Sequence, residues 1–307
     1  MSDQTPQIAP PKSRKGVWIV AAVVALAVVV GVFFAVRGGG DDAAAGTTKV
    51  KLGVVGASDP YWKTFEDEAA KEDIDLEVVD FADYAQPNPS VSEGEIDINQ
   101  FQHIIYLADY NVKNDDDLYP IGSTAIYPLG LYSEKVDSPD QIEDGDTVVV
   151  PDDDTNQARA LLLLQSAGLI TLKDGGSPFS TLNDVEDSSR VKVQAIKADL
   201  TPTSLPDVAA AVINNDFVEK AGLKFSDAIV TDDASDPSAQ PYVNIFAVRA
   251  EDKDNATYRK LVEIYQNSQP VIDGVQEVSG NTAEIVKIPG TELEGTLQDV
   301  QSQIEAQ

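Results

Sequence analysis

Residues 17–36, VWIVAAVVALAVVVGVFFAV, run for twenty positions without a charge. An α-helix needs about 20 apolar residues to cross a hydrocarbon core about 30 Å thick. The run has no polar face, which excludes a helix half-exposed on a globular core. Lys12, Arg14 and Lys15 precede it, and only Arg37 follows before a glycine run. That asymmetry keeps residues 1–16 in the cytoplasm and exports what comes after the helix. A cleaved signal peptide has the same polarity but an apolar core of only about 7–15 residues. The longer run favours an uncleaved single-pass anchor in the cell membrane. Residues 37–48, RGGGDDAAAGTT, have no apolar period and read as a flexible tether. The folded, extracytoplasmic part is expected to begin near Lys49, with enough chain for one large domain or two lobes.

Charge and cysteine content narrow the function. The chain holds 22 Lys and Arg against 52 Asp and Glu. Residues 1–48 carry four basic and three acidic side chains, so the exported part has 18 against 49. Such a surface repels nucleic acid and anionic lipid headgroups, and both drop out as partners. Its simplest role is to keep an exported protein soluble. The chain has no cysteine, which removes disulfides, thiolate metal sites, cysteine nucleophiles and a lipid-modified cysteine anchor.

From Lys49 onward, short apolar runs alternate with helix-like segments. Strands are expected at 50–55, 75–81, 146–151 and 191–198, and again within DAIVTD (227–232) and YVNIFAVRA (242–250). Helices are expected at 61–72, 90–95 and 97–111, at TNQARALLLLQSAGLI with Thr155 as cap and Gly168 as stop, and at PDVAAAVIN, opened by Pro206. The tail from Asn255 reads as helical. This alternation predicts an α/β fold with mostly parallel sheet covered on both faces. Extended segments around Tyr127 and Val243 suit two strands crossing between lobes. The first lobe would hold 49–131 and 248–307, the second 132–247. A single doubly wound domain fits the alternation nearly as well.

No catalytic constellation is present. Asp152, Asp154 and Asn156 have the alternate spacing of a calcium loop, but Gln157 and Leu163 stand where glycine and glutamate are required. Asp115–Asp117 and Asp232-Asp233 read as solvated loops. There is no G-x-S-x-G elbow, and one histidine cannot make a two-histidine metal site. No enzyme activity, cofactor or metal is expected.

What remains is suited to binding. With Thr155 as cap, Arg159 falls in the first turn of its helix, where guanidinium and free backbone N–H groups can converge on a carboxylate. The alternative is that Arg159 pairs with Asp152–Asp154. Asn244 sits in an apolar strand, where an amide costs stability unless satisfied. Asn214 ends the PDVAAAVIN segment. Tyr84, Phe101, His103, Tyr106 and Tyr127 gather near strand ends and turns, and His103, the only histidine, is most simply a hydrogen-bonded structural residue.

FADYAQPN, DINQFQHIIYL, STAIYPLGLYS, PDDDTNQARALLLLQSAGLI, AAVIN and PYVN, in this order, resemble the NlpA family, the MetQ-type substrate-binding proteins of methionine ABC importers. The resemblance spans 49–280. It implies a two-lobed, type II periplasmic-binding-protein fold, a ligand in the interlobe cleft, and a membrane permease with its ATPase as partners. It assigns the ligand's carboxylate to Arg159 and its ammonium and other polar atoms to Asn214 and Asn244. Tyr84, Phe101, His103, Tyr106 and Tyr127 would form the sleeve around a thioether, with Asn156 and Asn88 at the rim. Such a ligand needs one fixed cation, acceptors for its ammonium and polarizable walls. Members usually carry an acceptor cysteine, absent here. The segment GASDPYWKTF, with Trp62, and the N-terminal side of PDVAAAVIN also depart from the family. The expected ligand is methionine or a close analogue. A methionine-containing dipeptide, or a membrane-anchored sensor of the same fold, is the alternative.

Overall fold

The computed structural model describes residues 47–307. The cytoplasmic segment 1–16, the anchor 17–36 and nearly all of the tether 37–48 lie outside the described residues. Among those described, no helix is long and apolar enough to cross a membrane.

Strand β1 (Thr48–Val54) buries Val50, Leu52 and Val54, the alternation expected of a half-covered strand. Helix α1 (Pro60–Ala70) starts with proline at its first position and buries Tyr61, Trp62 and Phe65. β2 (Ile74–Asp80) pairs with β1 in parallel. The short helix α2 (Pro87–Ser92), β3 (Ile98–His103), α3 (Ile104–Asn114), β4 (Tyr119–Ser123), β5 (Ala125–Ile126) and β6 (Gly130–Tyr132) follow. Then come β7 (Thr147–Pro151), α4 (Asp154–Ser166), β8 (Lys192–Ile196), β9 (Ala210–Ile213), α5 (Asn215–Val218), β10 (Val230–Thr231) and β11 (Asn244–Val248). The tail supplies α6 (Ala256–Asn267), α7 (Gln269–Val278), β12 (Glu284–Ile285) and α8 (Gly290–Glu305). Asn255 caps α6, accepting from the Thr257 and Tyr258 N–H groups.

Two five-stranded sheets result, in the orders β2-β1-β3-β11-β4 and β10-β6-β9-β7-β8. Each is parallel at one side and antiparallel at the other: β11 runs against β3 and β4, and β6 against β9 and β10. The chain leaves the first sheet after β4, pairs β5 with β12, and returns to the first sheet through the stretch after β10. The return passes through a 3₁₀ turn at Pro237–Tyr242 rather than a continuous strand. By sheet membership Gly130–Tyr132 belongs with the second lobe and Asn244–Val248 with the first. The sheets thus divide the chain a few residues N-terminal to both expected boundaries, 131/132 and 247/248.

Three expectations about local structure are corrected. Residues 98–103, expected as helix, form β3, the middle strand of the first sheet, and all six are buried. The polar letters in INQFQH mislead because Asn99 and Gln102 satisfy one another and Asn88 behind the sheet, at 2.6–3.0 Å. The PDVAAAVIN segment, also expected as helix, holds β9, clamped between β6 and β7. Ladder bonds on both sides override the helix propensity of three alanines. The cap of α4 is Asp153, whose side chain accepts from the Asn156 N–H, and not Thr155. That helix does end as expected, with Gly168 at φ +71 just beyond it.

Candidate functional site

The last residue of β3 is also the first half-turn of α3. His103 has extended backbone geometry, and its Nδ1 accepts the Tyr106 N–H at 3.2 Å, so imidazole is the N-cap of the helix. The ring proton then resides on Nε2, which faces Asn156 Oδ1 at 3.2 Å. Burial, reinforced by the Arg159 charge, lowers the His103 pKa to about 3, so the ring is neutral at physiological pH. Its edges meet Tyr242 at 5.4 Å and Tyr106 at 6.1 Å. A single histidine thus closes a helix and supplies a flat wall. Replacing His103 by leucine leaves the Tyr106 N–H and Asn156 Oδ1 short of a partner. Thermal unfolding of His103→Leu is expected to show a loss of about 1–3 kcal/mol. His103→Asn, which keeps a cap acceptor, should lose less.

Asn156, in the first turn of α4, is oriented by Asp153. Its Nδ2 donates to both Asp153 oxygens, at 3.0 and 3.2 Å, and its backbone N–H to one of them. Burial raises the Asp153 pKa to about 6 against the pull of those donors, so the group is mostly ionised at neutral pH and can only accept. Asn156 Oδ1 is therefore turned inward, where it receives Asn214 Nδ2 at 2.8 Å. Asn214 is left with its Oδ1 buried and without a hydrogen-bond partner. A buried carbonyl in that condition costs about 1–3 kcal/mol, so it is poised to accept from an incoming donor.

Arg159 is the sixth residue of α4, past the turn whose N–H groups are free, so the expected convergence with the helix end does not occur. Its partner is also not Asp152–Asp154. Nε donates to Asp232 Oδ2 at 2.7 Å, and Nη2 donates to Asp232 Oδ1 at 3.2 Å and to the Tyr127 carbonyl at 2.8 Å. Asp232, expected in a solvated loop, is only partly exposed and belongs to this site. The Tyr242 ring lies 4.4 Å from the guanidinium carbon. Among the described residues Nη1 has no hydrogen-bond partner.

Opposite the arginine stand the rings. Phe101 and His103, two apart on β3, share a face. Phe101 meets Tyr84 at 5.8 Å and Tyr106 edge-on at 5.7 Å. Tyr106 OH donates to the Tyr84 carbonyl at 3.0 Å, and Tyr84 OH to Asp216 Oδ2 at 2.7 Å. Tyr84, Phe101, His103, Tyr106, Tyr127, Asn156, Arg159, Asn214 and Asn244 all line one small cavity, together with Gln102 and Asn215. Asn244 opens β11 beside His103. Asn88 is not at the rim; it belongs to the buried amide network behind β3. Asp232 and Tyr242 join the site beside those residues, through Arg159. Tyr242 lies within the PYVN motif, whereas Asp232 has no local signal.

A second small cavity adjoins the first through Phe101, Tyr127, Asn215 and Asn244. Trp62 and Asp59 line it from the first lobe and Asp216, Glu219 and Lys220 from the second. Burial raises the Asp216 pKa to about 7, opposed by the Tyr84 hydroxyl and Lys220 and aided by Asp59. Burial likewise raises Asp59 to about 6, opposed by Lys220 and aided by Glu219 and Asp80. The Tyr84–Asp216 and His103–Asn156 bonds and the Asp83–Lys197 and Lys113–Asp154 ion pairs all join one lobe to the other, so the cleft is closed.

Comparison with known proteins agrees with this architecture. A family model described as NlpA lipoprotein matches residues 50–285. The D-methionine-binding lipoprotein MetQ of Escherichia coli K12 is 38% identical over 226 residues, covering 72% of this chain and 82% of that protein. A nutrient-binding protein from Burkholderia cenocepacia, solved bound to methionine, superposes with a TM-score of 0.72 at 35% identity, covering 77% of this chain and 99% of its own. The substrate-binding protein of a methionine transporter from Streptococcus pneumoniae gives a TM-score of 0.72 at 31% identity, covering 78% of this chain and 95% of its own. The described residues have the two-lobed α/β fold of the periplasmic binding proteins.

Proposed function

The chain belongs to the NlpA lipoprotein family, and on that premise we propose that it is the extracytoplasmic solute-binding protein of an ABC importer for methionine or a close analogue. The carrying observation is the pairing, in one aromatic-walled cavity, of an unpartnered Arg159 Nη1 with an unpartnered Asn214 Oδ1. A zwitterion supplies what each lacks: a carboxylate for the guanidinium and an ammonium for the amide oxygen. Asn244 lies beside them for a remaining polar contact. The thioether lies among Tyr84, Phe101, Tyr106 and Tyr127, which favour a polarizable sulfur, with His103 as a neutral wall.

The mechanism is capture by closure of two lobes, the crossovers at 127–129 and 232–243 serving as hinge, without covalent chemistry. The lobes comprise residues 49–129 with 244–307, and residues 130–243. Residues 17–36 anchor the protein in the membrane in place of a lipid, and the closed lobes are delivered to a permease and its ATPase. Calorimetric titration of the detergent-solubilised full chain with L-methionine, D-methionine and glycyl-methionine tests the reading. Saturable one-to-one binding of a free methionine enantiomer is expected. Binding of glycyl-methionine alone would transfer the assignment to a dipeptide, and binding of none would refute it.

A further inference from the structure

We infer that Asp232 is a positioning residue for ligand recognition: it fixes the Arg159 guanidinium edge-on so that Nη1 alone is offered to the ligand's carboxylate. This rests on the proposed methionine-binding function. A guanidinium has five N–H groups and, left free, rotates on a long flexible stem. Here Asp232 takes the Nε edge and one Nη2 proton, and the Tyr127 carbonyl takes Nη2 as well. The Tyr242 ring at 4.4 Å covers one face of the plane. What is left over is Nη1, and Arg159 lines the ligand cavity.

Asp232 is itself immobilised. Its Oδ1 accepts the Leu129 N–H at 2.8 Å, and its own N–H donates to the Leu129 carbonyl at 3.1 Å. The carboxylate therefore sits where the outgoing and returning crossovers pair, and it transmits that fixed geometry to the arginine. It also balances the buried cation, so the empty cavity does not hold an isolated charge.

Asp232→Asn is the informative substitution, because an amide oxygen can still accept from Leu129 while the NH₂ group opposes the Arg159 Nε–H. A change confined to the hinge would weaken all ligands alike, whereas misplacement of Nη1 penalises only a ligand that presents a carboxylate. The readout is the ratio of affinities for methionine and methioninamide, which lacks the carboxylate, measured by ligand-induced thermal shift. Loss of well-placed charge-assisted hydrogen bonding predicts that this ratio falls about tenfold or more in Asp232→Asn. Asp232→Glu, which keeps the charge but displaces it by one methylene, should lower the ratio less and serves if the amide variant does not fold. An unchanged ratio in a folded variant overturns the inference, whatever happens to absolute affinity. Wild-type protein measured in parallel separates the two ideas: failure of wild type to bind methionine refutes the proposed function, not the role of Asp232 alone.

Discussion

Arg159→Ala is expected to reduce methionine affinity by about thirtyfold to several thousandfold, measured by calorimetry on folded protein. Truncating one member of a buried, hydrogen-bonded charge pair costs about 2–5 kcal/mol, and here the same truncation removes the ligand's counter-charge. The loss has two parts that thermal unfolding separates. Stability falls because Asp232 keeps only its Leu129 donor and the Tyr127 carbonyl loses its Nη2 partner. Affinity falls further because nothing else in the cavity carries a fixed positive charge: the lining polar groups are amides, tyrosines and a neutral imidazole. Arg159→Lys should not restore binding, since an ammonium cannot bond edge-on to Asp232, reach Tyr127 and still present a donor pair to the ligand. Retention of affinity within tenfold in Arg159→Ala would remove the carboxylate from this position.

The second large effect is on pH. Asp216 and Asp59 face a shared cavity from opposite lobes, and in the closed protein their pKa values stand at about 7 and about 6. Once the lobes part, water reaches both, and each returns towards the ordinary carboxylate value of about 4. Closure therefore takes up protons. The sign follows: closure, and with it ligand affinity, is strengthened as pH falls from about 8 through 7 and 6, and weakened as pH rises. The limiting slope for one such group is about tenfold per pH unit, and the partial exposure of Asp216 reduces it to severalfold. Asp153, also raised to about 6, lies wholly within the second lobe and holds Asn156 in place, so its protonation opposes the trend near the acid end. Comparing wild type with Asp216→Asn isolates the Asp216 contribution: methionine affinity should vary with pH between 6 and 8 more steeply in the former than in the latter, where Asp59 alone of the pair still titrates. Parallel profiles would show that Asp216 does not titrate on closure.

Much of the site was legible because its residues occur in ordered motifs. Nine of the ten residues named from the sequence line one cavity, although they come from both lobes, and the tenth, Asn88, lies in the amide network behind β3. What the letters did not disclose was how they are held. INQFQH and AAVI read as helix, since polar letters and alanines carry no record of the strands that pair on either side of them. Thr155 reads as the cap of α4, whereas Asp153, two residues earlier, caps it, which places Arg159 beyond the free N–H turn and changes the explanation of its role. Asp232 lies 73 residues from Arg159, and no local pattern links them. The orphaned carbonyl of Asn214 depends on a relay from Asp153 through Asn156, which only the fold assembles.

The central claim concerns where a zwitterion's two charged ends are held, and a crystal structure of the protein grown with methionine addresses it directly. The ligand's carboxylate should lie within hydrogen-bond distance of Arg159 Nη1, its ammonium should donate to Asn214 Oδ1, and its sulfur should rest among Tyr84, Phe101, Tyr106 and Tyr127. A carboxylate bound away from Arg159, or methionine found outside this cavity, would contradict it.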